Sequence, residues 1–439
     1  MKKPSQPPSQ AIDLFLTVAE ALGVTSDREV AALADVVADN VPNWRTGHVR
    51  EFKVQTLEAI KASLVARVQA LAREADRSRE AVKSGLQPLV IESGSAPDDL
   101  HKEFRERVAF DYLGHRFLYY EPQGALAWRN LIRAGYDQDA WLAGTRAAAR
   151  DWLQRSKDNA GRLKGPIAHA LALDRRVTPK GLDVVALGCG DGSKEAVILR
   201  ELAEAGGELI DGMAYVPVDV SIPLLLEAAN AGREVVHARV QPVCADFEEG
   251  PLTFASGLPS AMRPPDRALR LVLLLGNTFG NLRDEDAFVR HKLSRLVRSG
   301  DLVWLEVALR VEPLSDDPLM RMVEQKQAET AAEANRRLLI EGPFRRWEAA
   351  AGRPPARVDL RVIVRQDDDA SRVPGSCNFC HDLLMADERR ACTMLFSRRY
   401  ALDGLTAWLE ERDLAVERVQ TVRDARRRPR VAHLLLRRR

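Results

Sequence analysis

Three polar side chains follow apolar runs in the second half of the chain, and their types suit the binding of a nucleoside. Asp219 ends the run YVPVD, Asp246 follows PVCA, and Asn281 closes LVLLLGNTFGN. A carboxylate at a strand end can accept hydrogen bonds from ribose hydroxyls, and a second one can accept from the amino group of adenine, with Phe247 against the ring. Together these residues predict a bound adenosine better than any of them does alone.

A glycine-rich loop precedes these residues in the chain. The run LDVVAL ends in GCGDG, in which Gly188, Gly190 and Gly192 let the backbone approach a ligand closely, and a helical pattern follows directly. This spacing occurs in dinucleotide-binding proteins and in proteins that bind S-adenosylmethionine (SAM). The chain has no GKS or GKT pair and no second phosphate cradle, so the pattern favours a nucleoside over a triphosphate.

A sheet must bring these strand ends together. Strand and helix patterns alternate after Pro179, which predicts an α/β fold with a doubly wound sheet whose ligands bind beyond the carboxyl ends of the strands. The runs AVERVQTV and RVAHLLLRR are separated by a polar turn and are expected to close the sheet as an antiparallel pair. The other predicted strands are 183–187, 214–219, 240–244, 269–275 and 301–308.

Five segments resemble, in wording and order, the SAM-dependent domain of the histidine-specific N-alpha-methyltransferases, which trimethylate histidine in ergothioneine biosynthesis. They are LGCGDGSKE, YVPVDVS, PVCADF, LLLGNTFGN and SGDLVWLEVAL, and they span about residues 183–310. The resemblance implies a class I SAM-methyltransferase-like fold with SAM as the methyl donor.

The resemblance also implies roles for individual residues. It assigns to Asn281 the holding of the substrate's amino group, and a neutral amide can accept from an amine without competing as a nucleophile. Methyl transfer depends mainly on aligning a lone pair with the methyl carbon, so such positioning is itself catalytic. A Gly-Asn turn without a chemical role is the alternative for Asn281 alone. The predicted cofactor-binding residues are Gly188, Gly190, Lys194, Asp219, Asp246, Phe247 and Gly276.

The sequence departs from the family on the substrate side. MLFSRRYALDGL matches the family motif of a serine, a basic pair and an aromatic residue from Ser397 to Tyr400, which makes Ser397 a predicted substrate-binding residue. Leu395, however, stands where the family has a glutamate that binds the imidazole of histidine. The segment VEQKQAETAAEANRRLL replaces a tyrosine-bearing helix, and the N-terminal tyrosine motif is not recognisable in DYLGHRFLYYEP. We therefore expect an acceptor other than histidine, with a more apolar group.

Three classes of function follow from these observations. The leading hypothesis is SAM-dependent methylation of an amino group on a small molecule, an amino acid or an amino-acid-like acceptor. The alternatives are a DNA-binding regulator that senses SAM or a metabolite through a methyltransferase fold, and an interaction scaffold with a decayed active site. The intact Asp219, Asp246 and Asn281 argue against decay.

The helical N-terminus resembles the helix-turn-helix of phage-repressor-type regulators over about the first 50 residues. Ser26 or Asp27 can cap a first helix, and a second helix is expected to end near Arg45, which makes residues 26–47 a candidate DNA-binding segment. Pro42 falls inside the second helix, where a proline costs about 3 kcal/mol. A small helical bundle for dimerisation or docking is the alternative interpretation.

A heptad pattern follows this head. Leucines at 57, 64 and 71 recur every seven residues with further seam positions between them, so residues 54–82 predict either a coiled coil that forms a homodimer or an amphipathic helix packed on its own domain. GLQPLVIESGSAPDDL then breaks the helical pattern and is interpreted as a linker. The predicted organisation is a head over 1–52, the long helix and linker over 53–97, an aromatic-rich helical substrate or lid region over 98–178, and the methyltransferase domain over 179–439 with an insertion at about 311–391.

Composition and charge limit the remaining functions. Lys and Arg total 65 against 63 Asp and Glu, and the net charge of +2 gives no global attraction to nucleic acid. The N-terminus MKKPSQPPSQ lacks the apolar core of a signal peptide, and no run of about 18 apolar residues occurs, so we expect a cytoplasmic protein without a membrane span.

The cysteines are expected to be thiols. Cys377, Cys380, His381 and Cys392 include a CxxCH pattern, but the adjacent Cys380 and His381 suit one tetrahedral site poorly and a second CxxC is missing. Buried structural thiols are therefore the default interpretation, and no metal is predicted.

Overall fold

The computed structural model divides the chain into two compact units, Met1–Lys83 and Ser84–Arg439, which are described separately. No helix of the described residues is long and apolar enough to cross a bilayer. The structure describes residues 10–21, 24, 26–46, 52, 55–64, 86–107, 112–133, 138–153, 181–205, 213–235, 239–262, 268–317, 320, 331–350, 352, 358–365, 372–385 and 390–439.

The N-terminal unit is a small helical bundle. Its helices are α1 (Gln10–Ala21), α2 (Asp27–Leu33), α3 (Asn40–Arg45) and a helical stretch over residues 55–64. Phe15, Trp44 and Phe52 meet edge to face with ring centroids between 5.1 and 6.1 Å apart. These aromatic contacts form the centre of the unit's core.

Pro42 lies in the first turn of its helix, whereas the sequence pattern predicts a position in the helix interior. Helix α3 begins at Asn40, so Pro42 occupies the first turn, where backbone N–H groups have no partner inside the helix. Its carbonyl still accepts from the amide of Thr46 at 3.0 Å. The proline is therefore tolerated in a helix of only 6 residues, and DNA binding through residues 26–47 stays a prediction.

The predicted coiled coil over residues 54–82 falls largely outside the described residues. Within it, only residues 55–64 are described, and they are helical. Ile60 is buried in the N-terminal core, with Leu64 packed against it. Dimerisation through this segment stays a prediction.

The second unit is built on a doubly wound sheet, as predicted. The nine strands that it has among the described residues are β1 (Val90–Ile91), β2 (Leu182–Leu187), β3 (Ala214–Asp219), β4 (Arg239–Val240), β5 (Val243–Cys244), β6 (Leu269–Leu274), β7 (Leu302–Ala308), β11 (Leu414–Arg423) and β12 (Pro429–Arg438). Their order in the sheet is β1-β5-β3-β2-β6-β7-β12-β11, with β4 paired to β3. The strands from β1 to β7 pair in parallel, and β12 pairs antiparallel with both β7 and β11.

Helices cover both faces of this sheet. Alternate residues of β2 belong to different cores, with Val184 and Ala186 in one and Val185 and Leu187 in the other. A strand buried on both sides reads as a continuous apolar run, which explains why LDVVAL was recognisable. The helices are α4 (Pro97–Arg107), α5 (Arg116–Tyr119), α6 (Pro122–Arg133), α7 (Gln138–Leu153), α8 (Ser193–Ala205), α9 (Ile222–Val235), α10 (Glu285–Phe288), α11 (Ala331–Ala350) and α12 (Leu402–Glu410).

The segment GLQPLVIESGSAPDDL, which is predicted to be a linker, contributes a strand to the main sheet. Strand β1 pairs in parallel with β5 at the sheet edge, with Val90 opposite Val243. Beyond it, the Glu92 carboxylate accepts from the amide of Phe254 at 2.5 Å, and the Ser95 hydroxyl accepts from the amide of Asp246 at 2.9 Å. This stretch therefore belongs to the second unit.

A second, three-stranded antiparallel sheet was not predicted. It consists of β8 (Val358–Arg365), β9 (Cys377–Met385) and β10 (Arg390–Arg399), in the order β10-β9-β8. The predicted insertion at about 311–391 contains α11, β8 and β9, and the sheet extends it through β10. Leu309 forms a bridge with Tyr400, so the chain leaves and rejoins the main sheet at one point.

Candidate functional site

One cavity of about 250 Å³ lies at the carboxyl ends of β2, β3 and β6. Its walls come from the main sheet, from the helical region before it, and from α11, β9 and β10. Every residue predicted to bind cofactor or substrate lines it, although the role of each stays a prediction. These residues are Gly188, Gly190, Lys194, Asp219, Asp246, Phe247, Gly276, Asn281 and Ser397.

The glycine-rich loop needs its glycines for two reasons. Gly188, Gly190 and Gly192 have φ values of 66°, 53° and 74°, in the left-handed region that residues with a Cβ avoid. A Cβ on Gly190 would also lie 2.7 Å from the ring of Trp128, and one on Gly192 would lie 2.6 Å from the Cα of Ala228. The glycines are therefore required both by the backbone conformation of the loop and by its close packing against Trp128 and Ala228.

Asp219 holds this loop at the end of β3. Its carboxylate accepts from the amide of Gly190 at 3.0 Å and from that of Ser221 at 2.9 Å. Burial raises the pKa of Asp219 to about 6, against the lowering effect of the backbone hydrogen bonds. A carboxylate has about four acceptor positions, so Asp219 can also accept from ribose hydroxyls.

The Asp246 carboxylate accepts three hydrogen bonds within the protein. Its Oδ2 accepts from Arg116 Nη1 at 2.7 Å, and its Oδ1 accepts from the amides of Glu248 and Glu249 at 3.1 and 3.2 Å. Arg116 is 130 residues away in the chain, so no spacing in the sequence indicates this pair. About one acceptor position remains on Asp246 for an adenine amino group.

Lys194 is held by a carboxylate that sequence reasoning missed. Its Nζ donates to Glu306 Oε2 at 2.5 Å and lies 4.6 Å from the centroid of Trp141. Thr145 donates to the other oxygen of Glu306 at 2.9 Å. Burial acts to raise the pKa of Glu306, but the charges of Lys194 and His433 and the hydrogen bonds from Lys194 and Gly276 together outweigh it, and the pKa is lowered. A single carboxylate in the apolar run LVWLEVA was the available signal.

The same carboxylate anchors the turn that leads to Asn281. Glu306 Oε2 accepts from the amide of Gly276 at 2.5 Å, and its carbonyl accepts from the amide of Asn277 at 3.1 Å. The side-chain oxygen of Asn277 accepts from the amide of Ala308 at 2.9 Å. This bond orients the Asn277 amide group, which therefore donates toward Asn281 Oδ1 at 3.5 Å. Asn281 thus has a defined orientation at the cavity.

The opposite wall is formed by the second sheet. Leu395, Ser397 and Arg399 alternate along β10, so they share one face, and all three line the cavity. His381 on β9 pairs directly with Leu395 and lines the cavity on the same face. Arg336 of α11 completes this wall and contacts His381 Nδ1 at 3.3 Å. The sequence pattern identified Ser397 but neither His381 nor Arg336 as a residue of this site.

His381 is a neutral imidazole. Burial lowers its pKa to about 3, and the charges of Arg336 and Arg399 act in the same direction. A guanidinium carries donors only, so Nδ1 of His381 must accept from Arg336 and Nε2 must carry the proton. His381 therefore offers a hydrogen-bond donor without a positive charge.

The aromatic-rich helical region contributes to both core and cavity. Tyr119, Trp128 and Trp141 line the cavity, whereas half of its described aromatics, such as Phe104, are buried core residues. His115 also lines it, with Nδ1 at 3.4 Å from a Glu248 carboxylate oxygen. Burial lowers the pKa of His115 to about 4. The sequence did not single this histidine out.

The cysteine-rich segment does not gather into a metal site. Within the parts of the chain that the structure describes, no group of three His, Cys, Asp or Glu residues is placed to hold an ion. Cys377, Cys380 and Cys392 are all buried. His381, the remaining residue of that pattern, belongs to the cavity wall instead.

Residues 167–309 match the model of a family described as histidine-specific, SAM-dependent methyltransferases. This match confirms, for that part of the chain, the resemblance seen in the sequence over residues 183–310. SAM is the cofactor of that family, and the glycine loop and strand-end carboxylates offer the close backbone approach and acceptors that its nucleoside requires. Residues 167–309 are therefore similar to SAM-dependent methyltransferases, and SAM is the cofactor that this match supports.

Solved structures with a similar fold are distant. A SAM-dependent methyltransferase from Clostridium acetobutylicum ATCC 824 is 12% identical with a TM-score of 0.31, covering 71% of this chain and 95% of that one. Magnesium protoporphyrin IX methyltransferase from Synechocystis PCC 6803, with bound S-adenosylhomocysteine (SAH), is 12% identical with a TM-score of 0.35, covering 71% and 93%. The search of curated proteins found no match.

Proposed function

We propose that this protein is a SAM-dependent N-methyltransferase whose acceptor is a small amine, an amino acid or an amino-acid-like molecule other than histidine. The observation that carries the proposal is the orientation of Asn281. Its amide oxygen faces the Asn277 amide group, which is itself fixed by the backbone N–H of Ala308. This arrangement supports a role for Asn281 in holding an amine beside the cofactor residues.

Different residues would bind different parts of the methyl donor SAM. Asp219 would accept from the ribose, Asp246 and Phe247 would contact the adenine, and Lys194 would attract the carboxylate of the methionine part. SAM supplies a methyl group bound to a sulfonium sulfur. The acceptor nitrogen forms the new N–C bond as the S–C bond breaks, SAH is released, and the methylated nitrogen gives up a proton to water. The chain contributes alignment rather than a nucleophile.

Asn281 can accept from the amine while keeping its bond from Asn277, because an amide oxygen has two acceptor positions. An N–H of the acceptor bound there fixes the direction of the nitrogen lone pair. The loss of the family's glutamate at Leu395 supports an acceptor other than histidine, since an imidazole would face a leucine at that point.

Calorimetry with SAM and transfer of labelled methyl groups to a panel of amines and amino acids test the proposal. Asn281→Ala should leave the Kd for SAM within about threefold and lower turnover at least about 100-fold, because it removes alignment only. Asn43→Ala, an exposed asparagine of the N-terminal unit, is the matched control and should change neither value. A wild-type protein that does not bind SAM, or full turnover by Asn281→Ala, would contradict the proposal.

A further inference from the structure

The acceptor side of the cavity consists of hydrogen-bond donors and apolar side chains. Of the described residues that line the cavity, α11, β9 and β10 contribute Arg336, Leu339, Ile340, His381, Leu395, Ser397 and Arg399. The lining carboxylates, in contrast, all belong to the glycine loop, to α8 and to the strand ends of the main sheet. They are Asp191, Glu195, Asp219 and Asp246.

The proton positions on this wall follow from the contacts. The Ser397 oxygen accepts from Arg399 Nη1 at 2.8 Å, which leaves the hydroxyl hydrogen as a donor. His381 accepts at Nδ1 from Arg336, so its Nε2 carries a hydrogen. Arg399 also donates through Nε to Asp317 at 3.0 Å, which fixes the plane of its guanidinium. Each polar group on the wall can therefore donate toward the cavity.

The donors occupy the place where the acceptor's second group must lie. His381 is the direct cross-strand partner of Leu395 on the face that lines the cavity. The wall therefore sets a hydrogen-bond donor beside an apolar side chain, with no carboxylate among its described lining residues. Arg336 and His381 are only 7% and 3% exposed, so their interactions with a ligand are weakly screened.

We propose that this wall binds an anionic oxygen group, a carboxylate or a phosphate, on the methyl acceptor. The substrate is then an anionic amine rather than the acceptor with a more apolar group that the sequence predicts, and cationic or imidazole side groups are disfavoured. The inference rests on the proposed function, since it assumes that the ligand on this side is the methyl acceptor. Guanidinium groups in a buried wall recognise carboxylate and phosphate through charge-assisted hydrogen bonds, and five N–H donors per arginine allow this beside existing contacts.

Binding to the SAH-saturated protein tests the inference by calorimetry. The probes are the L-amino acids, β-alanine and γ-aminobutyrate, each beside its carboxamide and its decarboxylated amine where these exist, and phosphoethanolamine beside ethanolamine. We expect the best anionic probe to bind at least about tenfold tighter than its neutral counterparts, as one charge-assisted hydrogen bond implies. The carboxylate and phosphate arms distinguish the two anions. Equal or tighter binding of the neutral probes, or no binding by any anionic probe, overturns the inference.

A pair of neighbouring arginines provides the matched variants. Arg336→Gln should weaken the best anionic probe about tenfold or more and leave the Kd for SAH within twofold. Arg337→Gln, on the same helix but half-exposed and paired with Glu341 at 3.0 Å, should change neither. Leu395→Glu, which returns a carboxylate to the wall, should weaken anionic probes and strengthen histidine. Unchanged probe affinity in both Arg336→Gln and Leu395→Glu would also overturn the inference.

The outcomes separate the two proposals. If the protein binds neither SAM nor SAH, the proposed function fails. If SAH binds but neutral or cationic amines are preferred over anionic ones, the proposed function stands and only the anionic acceptor is wrong.

Discussion

The cavity has two halves, which we call the cofactor half, at the strand ends of the main sheet, and the acceptor half, on α11, β9 and β10. Both halves contain charged side chains, but the partners of these side chains differ. On the cofactor half, charged residues are tied to partners within the domain, as in the pairs Lys194–Glu306 and Asp246–Arg116. On the acceptor half, Arg336 and His381 contact each other, and both present donors to the cavity. The charges of the first half are thus used within the domain, whereas the second half, in which Arg399 is paired with Asp317, also turns hydrogen-bond donors toward the cavity.

The difference follows from where each half lies in the fold. The cofactor half is built at strand ends of the main sheet, whose positions are set by two buried cores. The acceptor half comes from an insertion between β7 and α12, which can vary without disturbing that sheet. The match to a family covers residues 167–309, and the insertion lies beyond it.

The largest effect is expected from Asp219→Ala. The variant loses the hydrogen bonds to ribose and the bond that holds the Gly190 amide, so SAM affinity should fall about 100-fold, as two charge-assisted bonds imply. Calorimetry with SAM measures the change, and Arg336→Gln serves as the acceptor-side control. A comparable loss of SAM affinity in that control would mean that the two halves are not independent.

Glu306→Gln tests whether internal ion pairs organise the cofactor half. Removing one charge of the buried Lys194 pair should lower the free energy of unfolding by about 3 kcal/mol and weaken SAM about tenfold. Denaturant unfolding and calorimetry measure the two effects. Thr145→Val deletes only a neutral donor to Glu306 and should cost about 1.5 kcal/mol, the lower end for a hydrogen bond to a charged group. Equal effects of the two variants would show that the charge of Glu306 is unimportant.

The pH dependence of SAM binding should come from the cofactor half. In the proposed function the ionised form of Asp219 accepts from ribose. Because the pKa of Asp219 is raised to about 6, SAM affinity should then fall about tenfold between pH 7.5 and pH 5. The folded pKa lies above the unfolded value of 3.8, so the contribution of this group to stability is full below pH 3.8 and is lost as pH rises through 6. Asp219→Asn should flatten the Asp219-dependent part of the affinity profile, and an unchanged profile would contradict the assignment.

The smallest effect on the donor side is expected from Leu395→Ala. It enlarges the acceptor half without touching the cofactor residues, so the Kd for SAM should stay within about twofold while the KM of the acceptor rises several-fold. Steady-state kinetics with the identified acceptor gives the KM. A larger change in SAM affinity than in acceptor KM would reverse the comparison.

Local patterns made the cofactor half predictable. Buried strands of the main sheet give continuous apolar runs, and the glycines and Asp219 follow them directly, so strand, turn and polar end lie within a few residues of each other. The antiparallel pair β11·β12 was equally local and is confirmed. Short-range order of this kind is visible in a single sequence.

Contacts between distant segments were not predictable. Arg116 and Asp246 are 130 residues apart, and Lys194 and Glu306 are 112 apart, so no spacing in the sequence connects them. The second sheet was missed for another reason. Its strand β9 reads CNFCHDLLM, in which cysteines and a histidine suggested a metal pattern more strongly than a strand. Only the pairing of His381 with Leu395 reveals that the histidine faces the cavity.

The pairing of β1 with β5 has a consequence for synthesis on the ribosome. The main sheet takes one edge strand from residues 90–91 and its other edge from residues 414–423, with 429–438 beside it. The sheet cannot be completed until residue 438 has left the exit tunnel, so earlier segments must wait with unpaired strand edges. Unpaired strand edges are sites at which chains aggregate, so the late arrival of this edge makes the order of synthesis a constraint on folding.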